Sequence, residues 1–135
     1  MRNHKYGAKR CIVTTDGTLF EVEQLKAFKI TDVKGITFDS KAEAEYYLVL
    51  RDRLNRGEIQ VLTLQPKYIL QDKPRITYRA DFEVMHHGGD IETIDVKGFI
   101  TKEFSLKKRL FKATYEDHKL TLVTKKGGRW QEVTA

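Results

Sequence analysis

Thr77-Tyr-Arg-Ala-Asp-Phe-Glu-Val84 and Ile91-Glu-Thr-Ile-Asp-Val-Lys97, joined through His87-Gly-Gly-Asp90, are the stretches that decide how this chain folds. Both are rich in β-branched and aromatic residues and read as short strands, and the glycine pair between them is a hairpin turn signal. Side chains alternate across a strand, so Asp95 and Lys97 share one face while Ile94 and Val96 take the other. In the first strand Tyr78, Ala80, Phe82 and Val84 form the apolar face, and Asp81 points away from it. Two carboxylates and one ammonium can therefore converge where neighbouring strands meet. That set suits a hard divalent cation and an activated water, the equipment for hydrolysing a phosphodiester.

Working outward, the clearest element is a helix that starts at Ser40 and stops before Gly57. Ser40 with Glu43 three residues on is a capping box, and Gly57 is a natural stop. Glu43, Tyr47, Leu50 and Leu54 share one face, flanked by Tyr46, with Glu45 on the solvent side. Ile59–Leu64 and Pro66–Leu70 read as strands, with Pro74 in the turn before the Asp81 strand. A second helix is expected from Lys102 to about Asp117, with Phe104, Leu110 and Phe111 on its apolar side and Lys107, Lys108, Arg109 and Lys112 on its basic side. Leu120–Val123 is a final strand, followed by a polar tail over 125–135. Before the first helix, Ile12-Val13 and Leu19–Val22 around Asp16-Gly17 suggest a small hairpin, and Gly35–Phe38 a short strand. Residues 1–10 form a basic arm. The order predicts one α/β domain with a mixed central sheet flanked by helices.

Composition sets the outer bounds. The chain has 135 residues, 40% of them hydrophobic and 33% charged, enough for a modest core. A net charge of +6 makes an acidic partner plausible, nucleic acid being the commonest. Cys11 is the single cysteine, which excludes an intrachain disulfide and a cysteine-built zinc site and fits a reducing cytoplasm. The basic amino terminus lacks the apolar run of a signal peptide, and no stretch is long and apolar enough for a bilayer, so a soluble cytoplasmic protein with no membrane partner is expected.

Each candidate has a bland rival. Asp81 and Asp95 are ligands for Mg²⁺ or solvated acids on an open sheet, and Lys97 a catalytic group or their ion-pair partner. Glu43 faces inward, so it can complete a metal shell or act only as the capping acid. Asp32-Val-Lys-Gly35 repeats the D-V-K-G string without strong strands around it and reads as a turn. His86 and His87 point to opposite faces and make a polar hairpin end. The basic side of the second helix is a phosphate-binding surface or a solvated face, and Gln65 a polar residue near the site or a surface turn.

Assembled, these residues resemble the PD-(D/E)XK nuclease superfamily and, more narrowly, small phage-encoded endonucleases. The matching pieces are Lys5-Tyr-Gly-Ala-Lys9, Gly35-Ile-Thr-Phe-Asp-Ser-Lys-Ala-Glu-Ala-Glu-Tyr-Tyr47, Gly57-Glu-Ile59, Leu64-Gln-Pro66, Tyr78-Arg-Ala-Asp-Phe82, Asp95-Val-Lys-Gly98, Thr101 and the Phe104–Phe111 stretch. The resemblance implies a restriction-endonuclease-like core and a Mg²⁺-dependent DNA endonuclease, Mn²⁺ substituting, similar to phage Holliday-junction resolvases that work as homodimers on four-way junctions. It makes Glu43 the helix acid, Asp81 the central metal ligand, Asp95 the second ligand, Lys97 the catalytic lysine and Gln65 a supporting residue. Residues 11–34 depart from the family pattern as an extra hairpin. A non-catalytic DNA-binding module, or a nuclease for linear or nicked DNA, are the alternatives.

Overall fold

A computed structural model describes residues 9–98 and 100–135, so most of the predicted basic arm lies outside the described residues. The chain divides into two compact units, Met1–Asp52 and Arg53–Ala135.

In the first unit the expected hairpin forms from β1 (Cys11–Val13) and β2 (Leu19–Glu21), in register Val13↔Leu19, with Gly17 at φ +88° in the turn. A six-residue helix, α1 (Val22–Ala27), follows; it buries no side chain, which is why no apolar periodicity announced it. β3 (Ile36–Phe38) pairs antiparallel with the other edge of β1, giving the order β2-β1-β3. The hairpin is therefore not an appendage: β1 is the central strand of this small sheet. Asp32–Lys34 lie in irregular chain outside any strand, where a turn was expected.

Helix α2 (Lys41–Asn55) begins where the capping box places it, Ser40 Oγ accepting the Glu43 N–H at 3.0 Å. It ends at Gly57 (φ +76°), where the N–H groups of Gly57 and Glu58 return to the carbonyls of Leu54 and Arg53. Its buried residues are Glu43, Ala44, Tyr46 and Leu50, whereas the expected Tyr47 and Leu54 are only half-buried. Ala44 adds little to an apolar pattern yet buries completely, which turns the stripe toward Tyr46.

The second unit carries β4 (Val61–Leu64), β5 (Lys67–Gln71), β6 (Ile76–Arg79), β7 (Phe82–Met85), β8 (Ile91–Val96), α3 (Lys102–Thr114), β9 (His118–Lys126) and β10 (Arg129–Thr134). The main sheet has the order β10-β9-β8-β7-β4, with β8 and β9 parallel and the other neighbours antiparallel. This is the expected mixed α/β architecture. The parallel pair requires a crossover, and α3 supplies it.

One expectation fails here in an instructive way. The strand read as continuous through Thr77–Val84 breaks at Ala80-Asp81, and β6 pairs with β5 in a separate two-stranded sheet. The adjoining β4–β5 segment breaks at the same level, at Gln65, whose φ of +49° is left-handed. Hydrogen bonds cross the bend, from Gln65 N–H to the Asp81 carbonyl (2.9 Å) and from Ala80 N–H to the Pro66 carbonyl (3.0 Å). The ribbon thus bends as one, and its far half lays Tyr68 and Tyr78 over β7 and β8.

That far half closes the core of this unit: Tyr68, Leu70, Tyr78 and Ala80 pack with Phe104 and Phe111 of α3 and Leu120 and Leu122 of β9. Burying each large ring is worth about 1.5–3 kcal/mol relative to leaving it exposed. α3 is capped by Thr101, whose Oγ1 accepts the Phe104 N–H at 3.1 Å, and ends at Thr114, short of the expected Asp117, because Tyr115 turns the chain into β9. Its cations do not form one face: Lys107 and Lys108 flank the buried stripe half-covered, while Arg109 and Lys112 are exposed. The expected polar tail is polar, but residues 129–134 form an edge strand, turned at Gly127-Gly128, both with positive φ. With both faces largely wet it shows no apolar alternation, and only the glycine pair signalled it. No helix among the described residues is long and apolar enough to cross a membrane.

Candidate active site

The register between β7 and β8 pairs Phe82 with Ile94; one step toward the bend sets Asp81 opposite Asp95. The two aspartates hold each other through the backbone. Asp81 N–H donates to Asp95 Oδ1 at 2.9 Å, and Val96 N–H donates to Asp81 Oδ2 at 2.8 Å. Interrupting the strand at Asp81 makes this possible, since a continuous ladder would direct these N–H groups to carbonyls instead. Both side chains are buried, Asp81 at 4% exposure and Asp95 at 1%. Buried carboxylates are costly unless donors and cations meet them, and here they are met from several sides.

Lys97 is the cation on the same face. Its Nζ lies 3.5 Å from Asp95 Oδ2 and 4.2 Å from the centre of the Phe104 ring. Acid and ring face hold the ammonium from two directions, and its side chain keeps 19% exposure. Tyr78 completes the group: its hydroxyl donates to Asp95 Oδ2. Burial, and after it the Asp95 charge, hold this phenol far above its ordinary pKa, so it remains a donor. Sequence reading placed Tyr78 on an apolar face and missed this role, for which the only signal was a hydroxyl on a residue bound for the core.

Further along the same face, Tyr68 bonds Glu83 Oε1 (2.8 Å) and Thr93 Oγ1 (2.9 Å), and Thr93 meets His118 Nδ1 at 3.3 Å. On the opposite face Glu92 joins His86 Nε2 (2.8 Å) to Thr121 Oγ1 (2.5 Å), while His87 bonds the Gly57 carbonyl. The two histidines diverge, as their alternation requires. Gln65 stands at the bend, its N–H on the Asp81 carbonyl. Glu43 belongs to the other unit, buried at 1% exposure in the first turn of α2. So Asp81, Asp95 and Lys97 are brought together and Gln65 is tied to them through the backbone. Lys107, Lys108, Arg109 and Lys112 lie on α3 as described, Lys107 paired with Glu103 at 3.2 Å.

The donor chemistry fits a hard divalent cation. Mg²⁺ takes one or two carboxylates and fills its remaining positions with water or phosphate oxygens, and ligating carboxylates are characteristically oriented by hydrogen bonds of the kind seen here. Among the described residues, no three His, Cys, Asp or Glu side chains gather as a metal-holding group, so the pair itself offers two ligands.

Fold and site define a mixed α/β protein with an opposed aspartate pair and a lysine at a break in paired strands. The chain belongs to the family described as protein of unknown function (DUF1064), whose sequence model matches residues 22–129. That span holds α2, the aspartate pair, Lys97 and α3; it begins after β2 and takes in residues 22–34 of the expected insertion. No curated protein and no solved structure matches the chain.

Proposed function

We propose that this chain is a metal-dependent DNA endonuclease of the PD-(D/E)XK type, hydrolysing phosphodiester bonds with Mg²⁺ or Mn²⁺. The observation that carries the reading is the opposed Asp81–Asp95 pair, each carboxylate oriented by a peptide N–H, with the Lys97 ammonium 3.5 Å from Asp95. Asp81 and Asp95 would hold the metal, and Glu43 is proposed as a further acid on the strength of the resemblance. When bound, such an ion acidifies water and neutralises phosphate charge.

The protein's own groups have separable tasks. Val96 N–H and Asp81 N–H fix the two carboxylates, so their geometry survives without the cation. Tyr78 holds Asp95 from the core side. Lys97, kept in place by Asp95 and the Phe104 ring, is positioned to orient the attacking water or to stabilise charge growing on the phosphate. Gln65 fixes the bend through its backbone. Arg109 and Lys112, with Lys107 and Lys108 beside them, would contact phosphates, giving salt-dependent affinity without sequence preference.

Branched DNA is the proposed substrate, cut by a symmetric homodimer, because recognising a four-way junction takes two sites at a fixed spacing. A cytoplasmic enzyme acting in phage replication or recombination accords with this. The test is cleavage of labelled four-way junction, linear duplex and single-stranded DNA with Mg²⁺ or Mn²⁺, wild type beside Asp81→Asn and Lys97→Ala. Junction cleavage lost on chelation and reduced about 100-fold or more in either variant is expected. Cutting of linear DNA alone removes the junction assignment, and tight binding with no cutting by wild type makes the chain a non-catalytic DNA-binding module.

A further inference from the structure

The β9–β10 hairpin runs on past the end of β8. β9 runs parallel to β8 with Val123 level with Val96, and the Lys97 N–H donates to the Val123 carbonyl at 2.9 Å. β8 ends there, whereas β9 continues through Lys126 before turning into β10. Three more residues at about 3.3 Å each carry the hairpin roughly 10 Å beyond the end of β8 that bears Lys97.

The tip reads Lys125-Lys-Gly-Gly-Arg-Trp130, with three cations and no acid. Residues 125–129 are exposed. In the ladder Lys126 stands directly opposite Arg129, and like charges in that relation destabilise a hairpin. A purely structural edge would be served better by opposite charges or threonines. The arrangement makes sense if a polyanion sits against it. Gly127 and Gly128 keep the tip narrow: a Cβ added at either would meet nothing within 4 Å, so none of the described residues covers it. Lys125 lies over the Trp130 ring at 5.5 Å, which stiffens the base of the hairpin.

We propose that this hairpin is a phosphate-gripping wing that lies along duplex DNA beside the aspartate pair, with Lys126 and Arg129 as its principal contacts. The inference rests on the DNA reading above and names a surface that the reading does not. Duplex DNA is favoured over an anionic lipid surface because the tip carries charge and glycine but no exposed large apolar residue to enter a bilayer.

Lys119 provides an internal control, since it is exposed on the same strand but pairs with Glu92 at the far end of β8. Binding of the full chain to fluorescein-labelled 30-bp duplex is followed by anisotropy in EDTA, from about 50 to 200 mM salt, so that catalysis does not enter. Lys126→Ala and Arg129→Ala are each expected to weaken binding about 3–10-fold and to lower the salt slope by about one, Lys119→Ala staying within twofold. Melting temperatures of the three variants verify that each is folded. If all three bind like wild type with the same slope, the wing is wrong while the DNA reading stands. If wild type binds no duplex at low salt, or binds anionic vesicles instead through these residues, the wing falls too. A protein that grips duplex through Lys126 and Arg129 but cuts nothing keeps the wing and loses the nuclease.

Discussion

Replacing Tyr78 by Phe isolates one hydrogen bond of the site. The phenol is 3% exposed, and its ring packs near Tyr68, Phe104 and Phe111 with centroids 5.5–6.1 Å away. Phenylalanine keeps those contacts and opens no cavity, so the loss is the hydroxyl bond to Asp95. A bond to a charged partner is worth about 1.5–3 kcal/mol, which for a protein of this size lowers the melting temperature by about 5–15 °C at neutral pH. Alkali supplies a second, independent signature. Burial and the Asp95 charge raise the folded pKa of Tyr78 far above its ordinary value of 10.0. The unfolded chain therefore releases this proton first. The stability linked to Tyr78 is intact below pH 10 and falls by about 1.4 kcal/mol per pH unit above it. Phenylalanine has no such proton, so the gap between wild type and variant should narrow by about 1.4 kcal/mol between pH 9 and pH 11. Denaturant melts of both proteins across that range measure it. An unchanged melting temperature at pH 7, or a gap constant up to pH 11, refutes the buried hydroxyl–carboxylate pairing.

Two other substitutions probe the backbone. A Cβ at Gly35 would stand 2.1 Å from the Val13 carbonyl oxygen and 2.7 Å from its carbon, so Gly35→Ala must push β3 from β1. Chemical denaturation should register a loss of at least about 2 kcal/mol, and a change under about 0.5 would show that the strands do not approach so closely. Gln65→Gly relieves a left-handed residue at φ +49° and should raise stability by up to about 1 kcal/mol, while cleavage falls if the Gln65 side chain supports the site. A lower melting temperature would mean that the side chain, not the bend, had been holding the structure.

How much of this was legible follows from the range of the interactions involved. The capping box at Ser40 and Glu43, the stop at Gly57 and the turn between β7 and β8 depend on residues a few positions apart, and each forms where it was read. The pairing of Asp95 with Lys97 follows from strand alternation alone. The break at Asp81 was not legible, because the apolar alternation from Tyr78 to Val84 runs through it without a flaw. What accompanies the break is a left-handed Gln65 between β4 and β5, hydrogen-bonded to Asp81, and no pattern local to Tyr78–Val84 can report that. β10 escaped notice because an edge strand wetted on both faces needs no alternation.

The sequence by itself determined the inventory: a mixed α/β fold, a capped helix, and two aspartates with a lysine on strand faces that can meet. Propensity, capping and the two-residue strand period act within a few residues, and those suffice for such statements. Tertiary structure alone decided that the aspartates clasp each other through peptide N–H groups and that a core tyrosine holds one of them. It also decided that a polar end segment becomes a hairpin projecting past Lys97. Each of these depends on register between strands distant in sequence, fixed only when the ribbon bends and the aromatic core closes over it.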